Sequence, residues 1–308
     1  MSDVKDLGAI RTMIRRHKRW DMAFGVLGLI ALMIGVLTFA ALFVDMAVDG
    51  IPRLGWDFLT SYPSRKADQA GILSAWVGSA LVMVVTAFFA VPLGVGAGIY
   101  LEEYAAKNWV TDIIEINITN LAGVPSIVYG LLALGLFVYT FGFGQSVLSA
   151  GLTLALLILP VVIVATREAI RSIPQGIREG AYALGATQWQ ISKDHIIPYS
   201  MPGILTGIII GMARAIGETA PIITIGALTF IAFLPPPPVQ AEPPFLNFEW
   251  LLSGFTVMPI QMFNWTSRPE AAFLHNAAAA GFVLVLMTLG MNGLAIWLRY
   301  RLRKKIKW

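Results

Sequence analysis

Arg178 to Pro198 read R-E-G-A-Y-A-L-G-A-T-Q-W-Q-I-S-K-D-H-I-I-P, and Ala213 to Pro221 read A-R-A-I-G-E-T-A-P. The first stretch is polar and charged and runs directly into an apolar one. Its apolar positions Ile177, Ala181, Leu184 and Ile191 recur near helical spacing, with Tyr182 and Trp189 beside them, which predicts a short amphipathic helix in water. Pro174 suits its start and Gly185 a close turn or cap. Pro198 and Pro202 bound the apolar run that follows. Inside that run, Arg214 and Glu218 stand four residues apart, so on a helix both project from one face.

Outward from this region the chain is apolar. Of 308 residues, 57% are hydrophobic and 13% charged, where an ordinary soluble domain has about 25% charged. Mean hydropathy is +0.72. Six apolar runs are long enough to cross a bilayer, at roughly 21–45, 72–100, 119–141, 146–166, 202–233 and 277–298. The expected class is an all-α polytopic membrane protein with six transmembrane helices. Pro92, Gly94 and Gly96 favour a kink in the second run. With the N-terminus inside, cytoplasmic segments hold 17 of the 22 lysines and arginines, external segments hold Arg53, Arg65, Lys66 and Arg268, and Arg214 lies within a span. That bias places both termini in the cytoplasm. The expected organisation is a cytoplasmic tail (1–20), a first helix with an external loop (21–70), a core of five helices (71–298) and a basic cytoplasmic tail (299–308). The core includes a cytoplasmic segment at about 174–198 and an external loop at 234–276. That loop opens with Pro235 to Pro238, a stiff polyproline stretch, and continues through Pro243-Pro244. Its Trp250, Leu251, Leu252, Phe255, Met258 and Met262 suit a packed loop, a stretch lying in the interface, or a cap on an external opening.

A charge at the bilayer centre costs roughly 3 kcal/mol or more unless paired or hydrated. Arg214 and Glu218 therefore belong either to a self-compensating ion pair or to a water-filled anion path. In a path, arginine offers a planar fork matching two oxygens of an oxyanion, and the glutamate can hold Arg214 in place, take a proton, or keep the anion from being trapped. Thr219 adds a hydroxyl. Asn120, Ser126 and Tyr129 are candidates to line the same path, and Asn120 and Ser126 equally to serve as interhelical hydrogen bonds. Arg167 and Glu168, at the cytoplasmic end of the fourth run, are candidates for an inner gate, and Glu102-Glu103 fit a solvated face. There is no cysteine, and His17, His195 and His275 have no metal-ligand spacing, so no metal or catalytic site is expected. No G-x-x-x-x-G-K-[ST] loop is present, so any ATP must act from another subunit. A channel or ion-coupled carrier would also use a membrane Arg–Glu pair, but it has no need of a docking segment. An enzyme would need convergent acid and base groups, which the chain does not bring together. A basic groove for nucleic acid is lacking too.

Glu179-Gly180-Ala181, then Gly185, then His195-Ile196-Ile197-Pro198 resembles the E-A-A-x3-G-x9-I-x-L-P signature of ABC-importer permeases of type I. Gly180 and His195 depart from it, while the Glu, Gly and Pro positions hold. Asn120 to Gly130 (N-L-A-G-V-P-S-I-V-Y-G), Tyr100 to Ala105 (Y-L-E-E-Y-A) and Ala213 to Pro221 are similar to the PstA/PstC phosphate-permease group, over nearly the whole chain. Sulfate and molybdate permeases tend to carry G-E-F-G where this chain has Gly217-Glu218-Thr219-Ala220. The resemblance implies a phosphate importer's permease subunit, not itself an enzyme, in a bacterial or archaeal inner membrane. It implies that Glu179, Gly180, Ala181, Gly185 and Pro198 form a coupling segment against a separate ATPase, and that Arg214 and Glu218 belong to the translocation path. It further implies two ATP-binding subunits that carry the ATP and Mg, a related PstC-like permease, and an external phosphate-binding protein.

Overall fold

The computed structural model describes residues 3–240 and 245–303, with side chains described from residue 12 to residue 301. Pro243-Pro244, the tail residues 304–308, and the side chains of Lys5, Arg11 and Arg303 lie outside the described residues. Twelve α-helices follow in order. They are α1 (Asp3–Gly50), α2 (Trp56–Thr60), α3 (Leu73–Ile99), α4 (Trp109–Leu121), α5 (Ser126–Ala133), α6 (Val147–Arg171), α7 (Gln175–Ala183), α8 (Gln188–Ile191), α9 (Ile197–Gly217), α10 (Ala220–Ile225), α11 (Met258–Thr266) and α12 (Ala272–Arg303). Among the described residues the β contacts amount to one isolated bridge, Val239 with Leu246. The expected all-α membrane architecture is present. Five helices are long and apolar enough to span a bilayer, or six if α4 and α5 are counted as one broken span.

Two spans and the amphipathic segment differ from the sequence reading. The third is not one helix over 119–141, because α4 ends at Leu121 and the chain resumes as α5 after a 105° bend. Pro125 disfavours helical backbone at the residue before it, and Gly123 lowers the cost of leaving the helix. The fifth run does not continue to residue 233. α9 stops at Gly217 and the short α10 ends at Gly226, whose φ is +94°. Pro221 has no N–H to give the carbonyl of Gly217, so an uninterrupted helix would lose a rung there. The amphipathic segment is likewise two helices joined by a turn. α3 runs through Pro92 and changes to a π-helical turn over Tyr100–Tyr104.

The centre of the bundle is α3 packed along α6, with α9 against α6. Small residues set the α3–α6 spacing, since a Cβ on Gly98 would fall 2.6 Å from Thr166 Cβ and one on Gly94 2.7 Å from Val162 Cγ1. Close backbone approach of this kind drives helix association where lipid is as apolar as leucine. Val82, Leu154, Leu157, Ile158, Met212 and Ile222 fill the core. Residues 250–265 of the loop are packed, as one of its expected forms required. Trp250, Phe255 and Val257 join that same core, and Met258 and Trp265 join a second one with Phe58, Ile72 and Phe273. Gly50 lies against the backbone of Ala279, and Arg53 Nε donates to Asn276 Oδ1 at 2.8 Å, so the end of α1 meets the start of α12. Arg299, near the other end of α12, donates to Thr206 in α9.

Candidate substrate path and coupling segment

Arg214 occupies the last turn of α9, where a cation complements the negative end of the helix dipole. Glu218 is the first residue past the helix, with ψ of 124°, not a further residue of the same helical face as the spacing suggested. The pair nevertheless forms, with Arg214 Nε 3.2 Å from Glu218 Oε1. Arg214 is 40% exposed within the chain and Glu218 18%. Glu218 backs onto a cavity of about 10 Å³ among Ser79, Val82, Met83, Leu154 and Val257. Only one nitrogen of the guanidinium is spent on the carboxylate, so the remaining donors of the fork stay available for an oxyanion.

The break places α10 against α5. A Cβ on Gly130 would lie 2.7 Å from Pro221 Cα. This contact brings Tyr129, which is buried, within electrostatic reach of Arg214. The Tyr129 hydroxyl donates to the Leu121 carbonyl at 2.8 Å and so ties α5 back to the end of α4. Ser126 opens α5 and Thr219 lies between α9 and α10. Asn120 is elsewhere. It lines a cleft of about 440 Å³ with Glu115 and Thr119 of α4 and Arg167, Glu168 and Arg171 of α6. The six expected path residues therefore divide between an Arg214 site and this second cleft.

The second cleft is held by charges that the sequence reading missed or misplaced. Glu102 and Glu103 are not a solvated face. Glu103 is 7% exposed and Arg178 Nη2 lies 2.6 Å from its Oε1. Glu102 pairs with Arg171 at 3.1 Å and with Arg167 at 3.5 Å. Arg167 is 9% exposed and its Nη2 lies 2.5 Å from Glu115 Oε1. Glu168 projects to solvent and pairs with Arg171. The signal for this network was the matching of acidic residues at the end of one apolar run with Arg167 and Arg171, one helical turn apart, at the end of another on the same membrane side.

The polar stretch folds as α7, a turn and α8. Gly185 sits in the turn with φ of +83°, and its N–H donates to the Tyr182 carbonyl while that of Ala186 donates to Ala181, a glycine-closed helix end. Thr187 and Gln190 form a capping box for α8. Ala181 and Ile191, on the apolar side of this segment, pack with Ile170, Ile173 and Ile196. Tyr182, Trp189 and Leu184 are left exposed, Leu184 at 90%. Glu179 and Gly180 are exposed and Pro198 is half-buried where α9 begins.

Residues 90–308 match the family of binding-protein-dependent transport system inner membrane components. This chain is a member of that family. Relatives include the probable ABC transporter permease YqgI of Bacillus subtilis, 32% identical over 92% of this chain and 96% of its own. The phosphate transport permease PstA of Yersinia pestis is 30% identical over 89% and 84%. PstC of Haemophilus influenzae is 32% identical over 66% and 71%. In solved structures the fold is shared with the MetNI methionine ABC transporter in its inward-facing form, with TM-score 0.57 at 16% identity over 75% of this chain and 95% of that one. It is shared also with a bacterial ABC transporter importing the acidic polysaccharide alginate, with TM-score 0.58 at 12% identity over 86% and 89%. The ABC-importer permease fold is thus established, and the exposed α7–α8 turn lies within the matched family region.

Proposed function

We propose that this chain is one of two permease subunits of an ATP-driven inorganic phosphate importer in a bacterial or archaeal cytoplasmic membrane. The observation that carries the substrate is the Arg214–Glu218 pair at the break between α9 and α10, with relatives named as phosphate permeases in support. Broken spans present irregular backbone at membrane depth, which is tolerated where it lines protein or a water-filled cavity. Arg214 takes the phosphate through its unspent donors, and Glu218 keeps the complex weak enough to release; Thr219 and Ser126, at the starts of α10 and α5, are the hydroxyls proposed to join it. No bond to phosphorus is made or broken; the work is alternating access.

The work comes from two separate ATP-binding subunits, which carry ATP and Mg. They dock on Tyr182, Leu184 and Trp189 around the Gly185 turn, since an exposed apolar cluster of this kind outside the lipid calls for a cover. A second, PstC-like permease and an external phosphate-binding protein complete the assembly. The α7–α8 segment and both charged chain ends face the cytoplasm, as the distribution of lysine and arginine requires. The test is radiolabelled phosphate uptake in a strain lacking only this chain, with and without the gene restored. Restoration should return ATP-dependent uptake that arsenate inhibits and sulfate does not. Uptake competed by sulfate would move the substrate to another oxyanion, and uptake independent of any ATPase would overturn the importer reading.

A further inference from the structure

We propose that Glu115 and Arg167 form an ionic latch holding α4 against α6 at the inner end of the path, and that the α7–α8 segment works this latch through Glu103 and Glu102. The inference rests on the permease reading above and adds to it a set of positioning residues. Within the chain α4 buries no side chain, and it is bent by 105° from α5. With no fully buried side chain to anchor it, its attachment rests largely on polar contacts: Glu115 to Arg167 at 2.5 Å and the Leu121 carbonyl to Tyr129. An element tethered in this way belongs to the low-stability part of a fold, from which moving parts are drawn. The Glu115 contact spans the 440 Å³ cleft that α4 and α6 line together.

Arg167 is shared. Its Nη2 meets Glu115 and its Nε faces Glu102 at 3.5 Å, so any displacement of Glu102 changes the hold on Glu115. Glu102 and Glu103 are neighbours on the π-helical turn that ends α3, a backbone form often found at functional sites. Glu103 is gripped from the other side. Arg178 of α7 donates to its carboxylate and to the carbonyls of Ile170 and Ile173, and Gln188 of α8 donates to its backbone carbonyl. A rotation of α7–α8 is therefore transmitted through two adjacent carboxylates to the arginine that closes α4.

Electrostatics gives the latch a second effect. Closed, the cleft sets Glu115 and Glu168 against Arg167 and Arg171, so its charged lining is balanced and offers an anion no net attraction. When Glu115 withdraws, one lining carboxylate, Glu168, faces two arginines and Arg167 regains a free donor. Opening the cleft and lowering its barrier to an anion are one event.

The chain has no cysteine, so spin labels can be placed at Asn117 of α4 and Ser172 beyond α6 in the complete complex, with the other subunits made cysteine-free. The label-to-label distance, measured nucleotide-free and with ATP and vanadate, should differ between the two states. Glu115→Gln should broaden the nucleotide-free distribution and lower phosphate moved per ATP hydrolysed by roughly tenfold, within the usual range of coupling between sites, while Glu115→Asp should keep both near wild type. A distance identical in the two states, or a wild-type distribution in Glu115→Gln, would overturn the latch. If Glu115→Gln failed to assemble, the wild-type comparison would still decide. The distance needs only ATP, so a wild-type complex that moves no phosphate counts against the substrate and leaves the latch to be judged separately.

Discussion

Arg214 stands inside an apolar run, in the last turn of α9, and yet remains 40% exposed. A purely structural pair at membrane depth would be expected to seal itself, with its remaining donors satisfied by protein. Arg214→Gln should abolish phosphate uptake while the complex still assembles, and Arg214→Lys should restore little of it, because a point charge does not replace a bidentate fork. Uptake kinetics in the two variants check this, and a fully active Arg214→Gln would return the pair to a structural role. Gly185 makes a second argument at this scale. Its φ of +83° is a left-handed conformation that costs other L-residues about 1–2 kcal/mol, although a Cβ there would meet nothing within 4 Å. Gly185→Val should therefore distort the turn and reduce ATPase-coupled uptake, and Gly185→Asn, which tolerates this backbone, should retain most of it. Equal loss in both would mean that bulk against the docking partner decides, not backbone strain.

Among the elements, α7 and the π-helical end of α3 are coupled most tightly by charge. Glu103 and Arg178 are both largely withdrawn from water, and removing one member of such a pair leaves the other's charge uncompensated. Glu103→Gln should destabilise this region by about 3 kcal/mol, seen as faster amide exchange over 174–191 with little change in α12. Leu184→Ser is expected to behave in the opposite way. Leu184 is 90% exposed and buries almost nothing within the chain, so its loss should leave thermal stability unchanged while weakening capture of the ATPase subunits in pull-down. If Leu184→Ser lowered stability but not capture, the α7–α8 turn would not be the docking face.

The molecule as a whole is a bundle whose ends differ in character. α12 meets the end of α1 at Gly50 and reaches α9 through Arg299, while the segment 56–70 and residues 226–240 and 245–257 pack at the opposite end from α7 and α8. The absence of native cysteine makes the topology directly testable. A single cysteine at Lys66 should react with a membrane-impermeant maleimide added outside intact cells, and one at Trp189 should react only after permeabilisation. The reverse pattern would invert the orientation drawn from the charged residues.

The fold class, the number of apolar runs and the positions of the polar α7–α8 segment and of the Arg214–Glu218 pair were legible in the sequence because each depends on local composition or spacing. Apolar length sets a span whatever surrounds it, and four residues between Arg214 and Glu218 keep them within reach even though α9 ends between them. The breaks at 122–125 and 218–219 were only half legible: the prolines were visible, but whether a proline kinks, ends or merely enters a helix depends on what can satisfy the freed carbonyls. Which of Ala181, Leu184 and Ile191 faces water, and whether Glu102 and Glu103 are solvated or paired, was settled by tertiary structure. Helical spacing gives a face but not its neighbour, and an ion pair across 65 residues or more, such as Glu102 with Arg171, exists only once α3 and α6 lie side by side.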